Sequence, residues 1–97
     1  MGSVFIQIGQ LDNSIKYLEK VIEIDPNIVN AHNNLGIVYI KLKEFTNAEK
    51  FFNKVLDINP NHLDAYNSLG IVFAELGDFN KALFNVKKVF VLNPEFV

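Results

Sequence analysis

The side chains that could do acid–base or nucleophilic chemistry are spread along the sequence without a catalytic arrangement. Acidic residues such as Asp57 and Asp64 belong to mixed charge patterns typical of helix surfaces, and nothing holds two carboxylates in an apolar cleft. The serines Ser3, Ser14 and Ser68 have no histidine at a recognisable partner position. No glycine-rich phosphate loop is present. These patterns favour a protein that is not an enzyme and that uses no cofactor.

Metal chemistry is disfavoured for a similar reason. The chain has two histidines, His32 and His62, which lie far apart and have no third ligand in a suitable pattern. It has no cysteine, so disulfide bonds and thiol chemistry are excluded. We expect no metal site, and the cysteine usage leaves the compartment open with a preference for the cytoplasm.

The composition describes one modest folded domain. Of the 97 residues, 49% are hydrophobic, which is enough apolar surface to offset the entropy of ordering.

The net charge is −2 and all nine basic residues are lysine, so binding to nucleic acid is disfavoured. No apolar run reaches the roughly 18–20 residues that a membrane span needs, and the first residues do not resemble a signal peptide. We expect neither nucleic acid nor a membrane as a partner.

An internal repeat organises the elements that would position any functional residue. Pro26, Pro60 and Pro94 lie 34 residues apart, and the segments 31–39 and 65–73 align at the same spacing. We therefore predict a single repeat domain over residues 1–97. It divides into a partial repeat at 1–28 and two repeats at 29–62 and 63–97.

Within each repeat the apolar residues recur at steps of three and four, which is the spacing of an amphipathic helix. Prolines and glycines mark the predicted helix ends. The middle repeat has Lys43 in its turn, so a residue other than glycine must adopt the turn conformation there. The pattern predicts an all-α fold of antiparallel helix pairs, with about six helices near residues 3–9, 12–25, 29–42, 45–58, 63–76 and 79–92.

Two glycines fall in the middle of predicted helices, where glycine costs about 1 kcal/mol relative to alanine. These are Gly36 and Gly70, and the small residues Ala48 and Ala82 fall on the facing helices. We expect a close approach between the paired helices at these positions.

Together these positions resemble the tetratricopeptide repeat family, whose unit is a pair of antiparallel helices. The resemblance rests on two sets of residues at equivalent repeat positions. The first set is Leu35, Gly36, Tyr39, Phe45, Ala48, Phe52 and Pro60. The second set, 34 residues later, is Leu69, Gly70, Phe73, Phe79, Ala82, Val86 and Pro94. It implies a right-handed α-solenoid with a concave inner surface. His32 departs from the large aromatic residue of the family, and we interpret it as a packed histidine with one hydrogen-bonded nitrogen.

The resemblance also implies that the first helix of each repeat lines a concave groove for a peptide or protein segment. The inner-face candidates are Asn30, Asn33, Asn34, Ile37, Ile40, Lys41, Asp64, Asn67, Ser68, Ile71, Ala74 and Glu75. Asparagine suits this role because its side chain can both donate to and accept from a peptide backbone. For each asparagine, a merely tolerated and solvated residue is an equally open alternative.

One subgroup of the family grips the C-terminal carboxylates of chaperone tails with lysine, asparagine and arginine. This chain resembles that subgroup only at Asn34. Asp64 and Ser68 stand where the subgroup has lysine and arginine, and Ser3 stands where it has asparagine. We therefore disfavour recognition of a carboxylate tail, since Asp64 would repel an anion.

A second candidate surface comes from comparing the repeats with one another. Phe84 and Val91 replace charged residues of the earlier repeats and share a helix face, and Phe90 should pack against a following helix. Three explanations stay open. A further repeat covers the patch in a longer array, copies of the chain associate through the exposed array ends as a homo-oligomer, or a dedicated partner docks there.

The function favoured by these observations is a protein–protein interaction module that binds a peptide in its concave groove. Two alternatives are a structural element that self-associates through Phe84, Phe90 and Val91, and a substrate-recruiting arm of a larger enzyme.

Overall fold

The computed structural model describes the backbone of residues 2–94 and the side chains of residues 9–94. This range contains five α-helices and no strand: α1 (Gly2–Ile24), α2 (Val29–Lys41), α3 (Phe45–Ile58), α4 (Leu63–Glu75) and α5 (Phe79–Leu92). The predicted all-α fold of antiparallel helix pairs is therefore confirmed. The side chain of Ser3 and the last three residues of the predicted domain lie outside the described residues.

The first repeat differs from the prediction, because the two helices expected near 3–9 and 12–25 form one continuous helix, α1. Gly9 occupies the position of the turn residues Lys43 and Gly77, yet an added Cβ at Gly9 would meet no neighbour within 4 Å. The residues before Gly9 make about two helical turns, which is too short for a helix that must be stabilised by its own packing. Continuing α1 satisfies their backbone hydrogen bonds instead.

The two complete helix pairs are closed by the same turn. Lys43 has φ 61° and Gly77 has φ 82°, both in the left-handed region. The amide of the next residue then bonds back into the first helix, from Glu44 to the Tyr39 carbonyl at 2.9 Å and from Asp78 to the Phe73 carbonyl at 2.8 Å. The prediction that Lys43 adopts the turn conformation is confirmed.

The core lies between the paired helices and between successive pairs. Its largest fully buried side chains are Phe52, Leu35, Leu69, Val55 and Val72. Helix α3 packs against both α2 and α4, and α2 also contacts α4 directly. The first helices of the two complete pairs are therefore neighbours in one layer.

The mid-helix glycines allow the close approach that their positions predict. A Cβ added at Gly36 would lie 2.6 Å from the Phe52 ring, and one at Gly70 would lie 2.8 Å from the Val86 side chain. Real Cβ atoms do not approach neighbours that closely, so any larger residue would push α2 from α3 or α4 from α5.

His32 and Tyr66 show how two repeats meet one requirement with different side chains. His32 Nε2 donates to the Pro26 carbonyl at 2.8 Å, and Tyr66 Oη donates to the Pro60 carbonyl at 2.9 Å. Both bonds link the first helix of a pair to the turn before it. The interpretation of His32 as a packed histidine with one hydrogen-bonded nitrogen is confirmed, since the side chain is buried and its Nδ1 has no partner in the described part of the chain.

Substitution of two glycines tests this account of the fold. Gly36→Ala should lower the free energy of unfolding by about 1–3 kcal/mol, because its Cβ overlaps the Phe52 ring. Gly9→Ala should raise it by about 0.5–1 kcal/mol, because the new Cβ meets open space inside a continuous helix. Urea unfolding followed by circular dichroism measures both effects. Destabilisation by Gly9→Ala would contradict a helix that runs unbroken through that residue.

Candidate functional site

The candidate site is built from equivalent stripes on the two neighbouring first helices. On α2 the stripe contains Asn30, Asn34, Ile37 and Lys41, and on α4 it contains Asp64, Ser68, Ile71 and Glu75. Steps of three and four put each set on one helix face. All eight side chains are exposed or half-buried, whereas Leu35 and Leu69 on the opposite faces are fully buried. We call these two stripes together with Asn33 and Asn67 the inner face.

The remaining two predicted asparagines are placed differently from each other. Asn67 on α4 is exposed, while Asn33 at the equivalent place on α2 is half-buried. The Oδ1 of Asn33 is buried and has no hydrogen-bond partner among the described residues. Asn30 and Asn34 of α2 and Asn67 of α4 are therefore the asparagines of these two helices with exposed side chains.

A concavity of about 340 Å³ lies between α1 and α2, and we call it the α1–α2 groove. Three predicted residues of α2, Asn34, Ile37 and Lys41, line it with Val38 of the same helix. The opposite wall consists of Ser14, Tyr17 and Leu18 of α1. The sequence pattern does not single out these α1 residues, because it predicts a separate helix near 3–9 beside them.

The charges of the inner face are unevenly distributed. Lys41 is the basic residue of the α2 stripe, whereas α4 has Asp64 near its start and Glu75 at its end. Burial raises the pKa of Tyr39, and the negative charges of Glu19 and Glu44 raise it further. The Tyr39 ring stacks on Phe51 with centroids 5.5 Å apart, so this tyrosine is part of the packing between α2 and α3.

The second candidate surface lies on α5. Phe84 is 63% exposed, Val91 is 70% exposed and Phe90 is 50% exposed. The equivalent residue of Phe90 in the preceding repeat is Leu56, which is half-buried and packs against the core shared by α3, α4 and α5. This end of the molecule therefore presents apolar side chains to solvent.

The histidines have structural contacts. His62 is the N-cap of α4, where its Nδ1 accepts a hydrogen bond from the Ala65 amide at 3.1 Å. Across the described residues, no group of three or more histidine, cysteine or acidic side chains could hold a metal ion. In the same range, no helix is both long enough and apolar enough to cross a membrane.

Comparison with known proteins gives consistent matches along the chain. Models described as tetratricopeptide repeat match residues 29–62 and 51–84, and a model described as TPR repeat matches residues 2–43. No curated protein sequence matches the chain significantly.

Several solved structures share the fold. A crystal structure of MamA has a TM-score of 0.86 and 26% identity over 97% of this chain. The first TPR of Spaghetti (RPAP3), bound to the HSP90 peptide SRMEEVD, has a TM-score of 0.86 and 25% identity over 98% of this chain and 75% of its own. YrrB has the same fold, with a TM-score of 0.83, 24% identity and coverage of 97% of this chain and 48% of its own. The chain spans about half of MamA, 55% of its length.

The raised pKa of Tyr39 predicts a loss of stability at alkaline pH. Because the folded protein holds the phenol proton more tightly than the unfolded chain, the Tyr39 contribution is fully present below about pH 10 and is lost as the pH rises through the folded pKa. Tyr39→Phe should therefore lose less stability than the parent above about pH 10. Urea unfolding at a series of alkaline pH values measures this, and identical pH profiles would contradict it.

Proposed function

Because the chain belongs to the tetratricopeptide repeat family, we propose that it is a protein-interaction module that binds a peptide segment of a partner on its inner face. The observation that carries the proposal is the repeated exposure of one stripe on both α2 and α4. Ile37 and Ile71 hold equivalent exposed positions on these stripes, where an apolar side chain can contact a bound peptide.

The chemistry of the inner face suits a peptide backbone. Ile37 and Ile71 form an apolar floor, and the carboxamides of Asn34 and Asn67 can each donate to and accept from an extended chain. The binding of an HSP90 peptide by the similar TPR of Spaghetti supports a peptide as the ligand class. The proposed role is binding without catalysis, and the partner is a protein.

The charges favour a ligand different from the one bound by that relative. The peptide SRMEEVD carries three acidic residues. On this chain Asp64 and Glu75 would repel such a peptide along α4, and Lys41 offers one attractive contact on α2. We therefore propose a partner segment that is neutral or basic where it crosses α4.

Removal of two inner-face carboxamides tests the proposal. Peptides selected from a displayed random library on the parent protein should bind the Asn34→Ala, Asn67→Ala double variant more weakly by about 1–3 kcal/mol, because two hydrogen bonds to the peptide backbone are lost. Titration calorimetry gives the affinities. The matched control is Asn53→Ala with Asn80→Ala, which removes two exposed asparagines of α3 and α5. Equal affinity of both double variants would refute binding on the inner face.

A second candidate function is self-association through the apolar surface of α5. Its supporting observation is the exposure of Phe84 and Val91, whose counterparts in the preceding repeat are the charged residues Lys50 and Asp57. A monomeric surface rarely keeps large apolar side chains grouped in this way.

Light scattering tests this candidate. The parent chain should have the mass of an oligomer, and Phe84→Lys with Val91→Glu should shift it to the monomer mass, because charged residues would then occupy the contact. Lys50→Ala with Asp57→Ala, at the equivalent places of α3, is the control and should leave the oligomer intact. A parent chain that is monomeric at about 1 mM excludes this function.

A further inference from the structure

A concavity of about 310 Å³ lies between the start of α2 and the second half of α3, and we call it the α2–α3 pocket. Its lining consists of His32 on α2 and of Lys50, Phe51, Asn53, Lys54 and Asp57 on α3. None of these residues belongs to the inner face. A volume of this size is at the lower end of the range found for small-molecule sites. The pocket is therefore a second place where a ligand group can bind.

His32 contributes a buried polar atom to this pocket. The side chain is 4% exposed. Its Nε2 donates to the Pro26 carbonyl, so in the neutral ring Nδ1 carries no proton and can only accept. This Nδ1 is buried and has no hydrogen-bond partner among residues 9–94. A buried acceptor without a partner is costly, and a ligand that brings an N–H or O–H group would remove that cost.

The rest of the pocket suits an aromatic ligand. The ring centroids of His32 and Phe51 are 6.2 Å apart. The Lys50 ammonium lies 5.7 Å from the centroid of the Phe51 ring, and Lys54 brings a second ammonium to the lining. An aromatic group beside Phe51 would gain ring–ring contact together with cation–π attraction from the lysines.

The next repeat shows that the unpartnered nitrogen is not a general feature of the repeat. There, Tyr66 stands in place of His32 and Asn85 stands in place of Phe51. Tyr66 Oη and Asn85 Nδ2 each donate to a backbone carbonyl, at 2.9 and 2.8 Å. The combination of a buried histidine acceptor with a neighbouring phenylalanine is thus specific to the pair formed by α2 and α3.

Access and charge restrict the ligand further. Because His32 Nδ1 is buried, the lining must open for a ligand to reach it. Lys50 and Lys54 are exposed, and exposed side chains change rotamer rapidly. The two lysines outnumber Asp57, the acidic residue of the lining. The pocket therefore favours an aromatic donor carried on a segment with acidic residues.

From this geometry we infer that the α2–α3 pocket binds a tryptophan side chain of an acidic partner segment. The indole ring lies against Phe51, and the indole N–H donates to His32 Nδ1. Indole is the aromatic group with the strongest cation–π attraction, and its N–H can only donate. This site goes beyond the proposed function, because the residues that line the pocket and those of the inner face are different.

The probe is the end-capped peptide Glu-Trp-Glu. The 97 residues contain no tryptophan, so the fluorescence of the probe reports its binding without background. Added to the intact chain, the probe should shift its emission to shorter wavelength as the indole leaves water. The dissociation constant should be on the order of 1 mM or lower. The backbone amide resonances of His32 and Lys54 should move, whereas those of Asn67 and Ile71 on the inner face should not.

Substitutions in the probe leave the protein unchanged and so avoid any folding defect. Replacing tryptophan by 1-methyltryptophan removes the N–H and keeps the ring. Binding should weaken by about fivefold, because the hydrogen bond to His32 Nδ1 is lost. Replacing both glutamates by lysine should weaken binding by about two- to fivefold at low salt, and less at high salt.

Two variants of the protein test the site directly. His32→Tyr introduces the residue of the next repeat, which removes Nδ1 and can keep a bond to the Pro26 carbonyl. It should fold with unchanged circular dichroism and bind the probe at least about tenfold more weakly. Lys54→Ala should weaken binding by about two- to fivefold, because one cation is lost. The matched control is Lys88→Ala, at the equivalent place of α5, which should bind like the parent.

Four outcomes would overturn the inference. They are no binding of the probe at about 5 mM, equal affinity of the methylated probe, unchanged binding by folded His32→Tyr, and resonance shifts centred on the inner face. The comparison of the two probes uses the parent protein, so it decides the question even where His32→Tyr does not fold.

Discussion

The structure depends on one constraint, the contact between a glycine of the first helix and a large side chain of the second helix in each pair. The backbones of Gly36 and Gly70 lie closer to the side chains of Phe52 and Val86 on the facing helices than a residue with a Cβ would allow. That spacing lets the small residues Ala48 and Ala82 be buried between the helices. Because the contact recurs at one period, each pair has the same shape and the next pair can pack on it in the same way.

The exposed stripe is a consequence of this regular packing. One face of each first helix packs against the second helix of its pair, and its edges pack against neighbouring first helices. A single face is then left without a structural role. Residues on that face are free to vary without loss of stability. The copies vary there at three of the four stripe positions, for example Asn34 against Ser68 and Lys41 against Glu75, while Ile37 and Ile71 are identical. The residues on this face can therefore change, and with them what the face binds, without changing the fold.

Much of the fold could be predicted from the sequence because the repeat makes each helix signal appear more than once. The prolines, the mid-helix glycines and the role of Lys43 in its turn all follow from local stereochemistry. The continuity of α1 could not be predicted, because Gly9 carries the same turn signal as Gly77 and only the packing around it differs. The sequence pattern does not single out Tyr17, because it predicts a separate helix near 3–9 beside it. Tyr17 nevertheless aligns with Phe51 at a spacing of one repeat.

Differences in exposure between copies show which side chains lack a contact that their counterparts make. A position that is half-buried in one repeat and exposed in another keeps the apolar side chain of a packed surface while lacking the contact. Tyr17 has this character at α1, as does Phe90 at α5 when it is compared with Leu56. Each is a residue that the repeat pattern places against a helix, and neither has a helix against it in the described structure. The surfaces of α1 and α5 therefore present large apolar side chains whose counterparts on α3, Phe51 and Leu56, are half-buried.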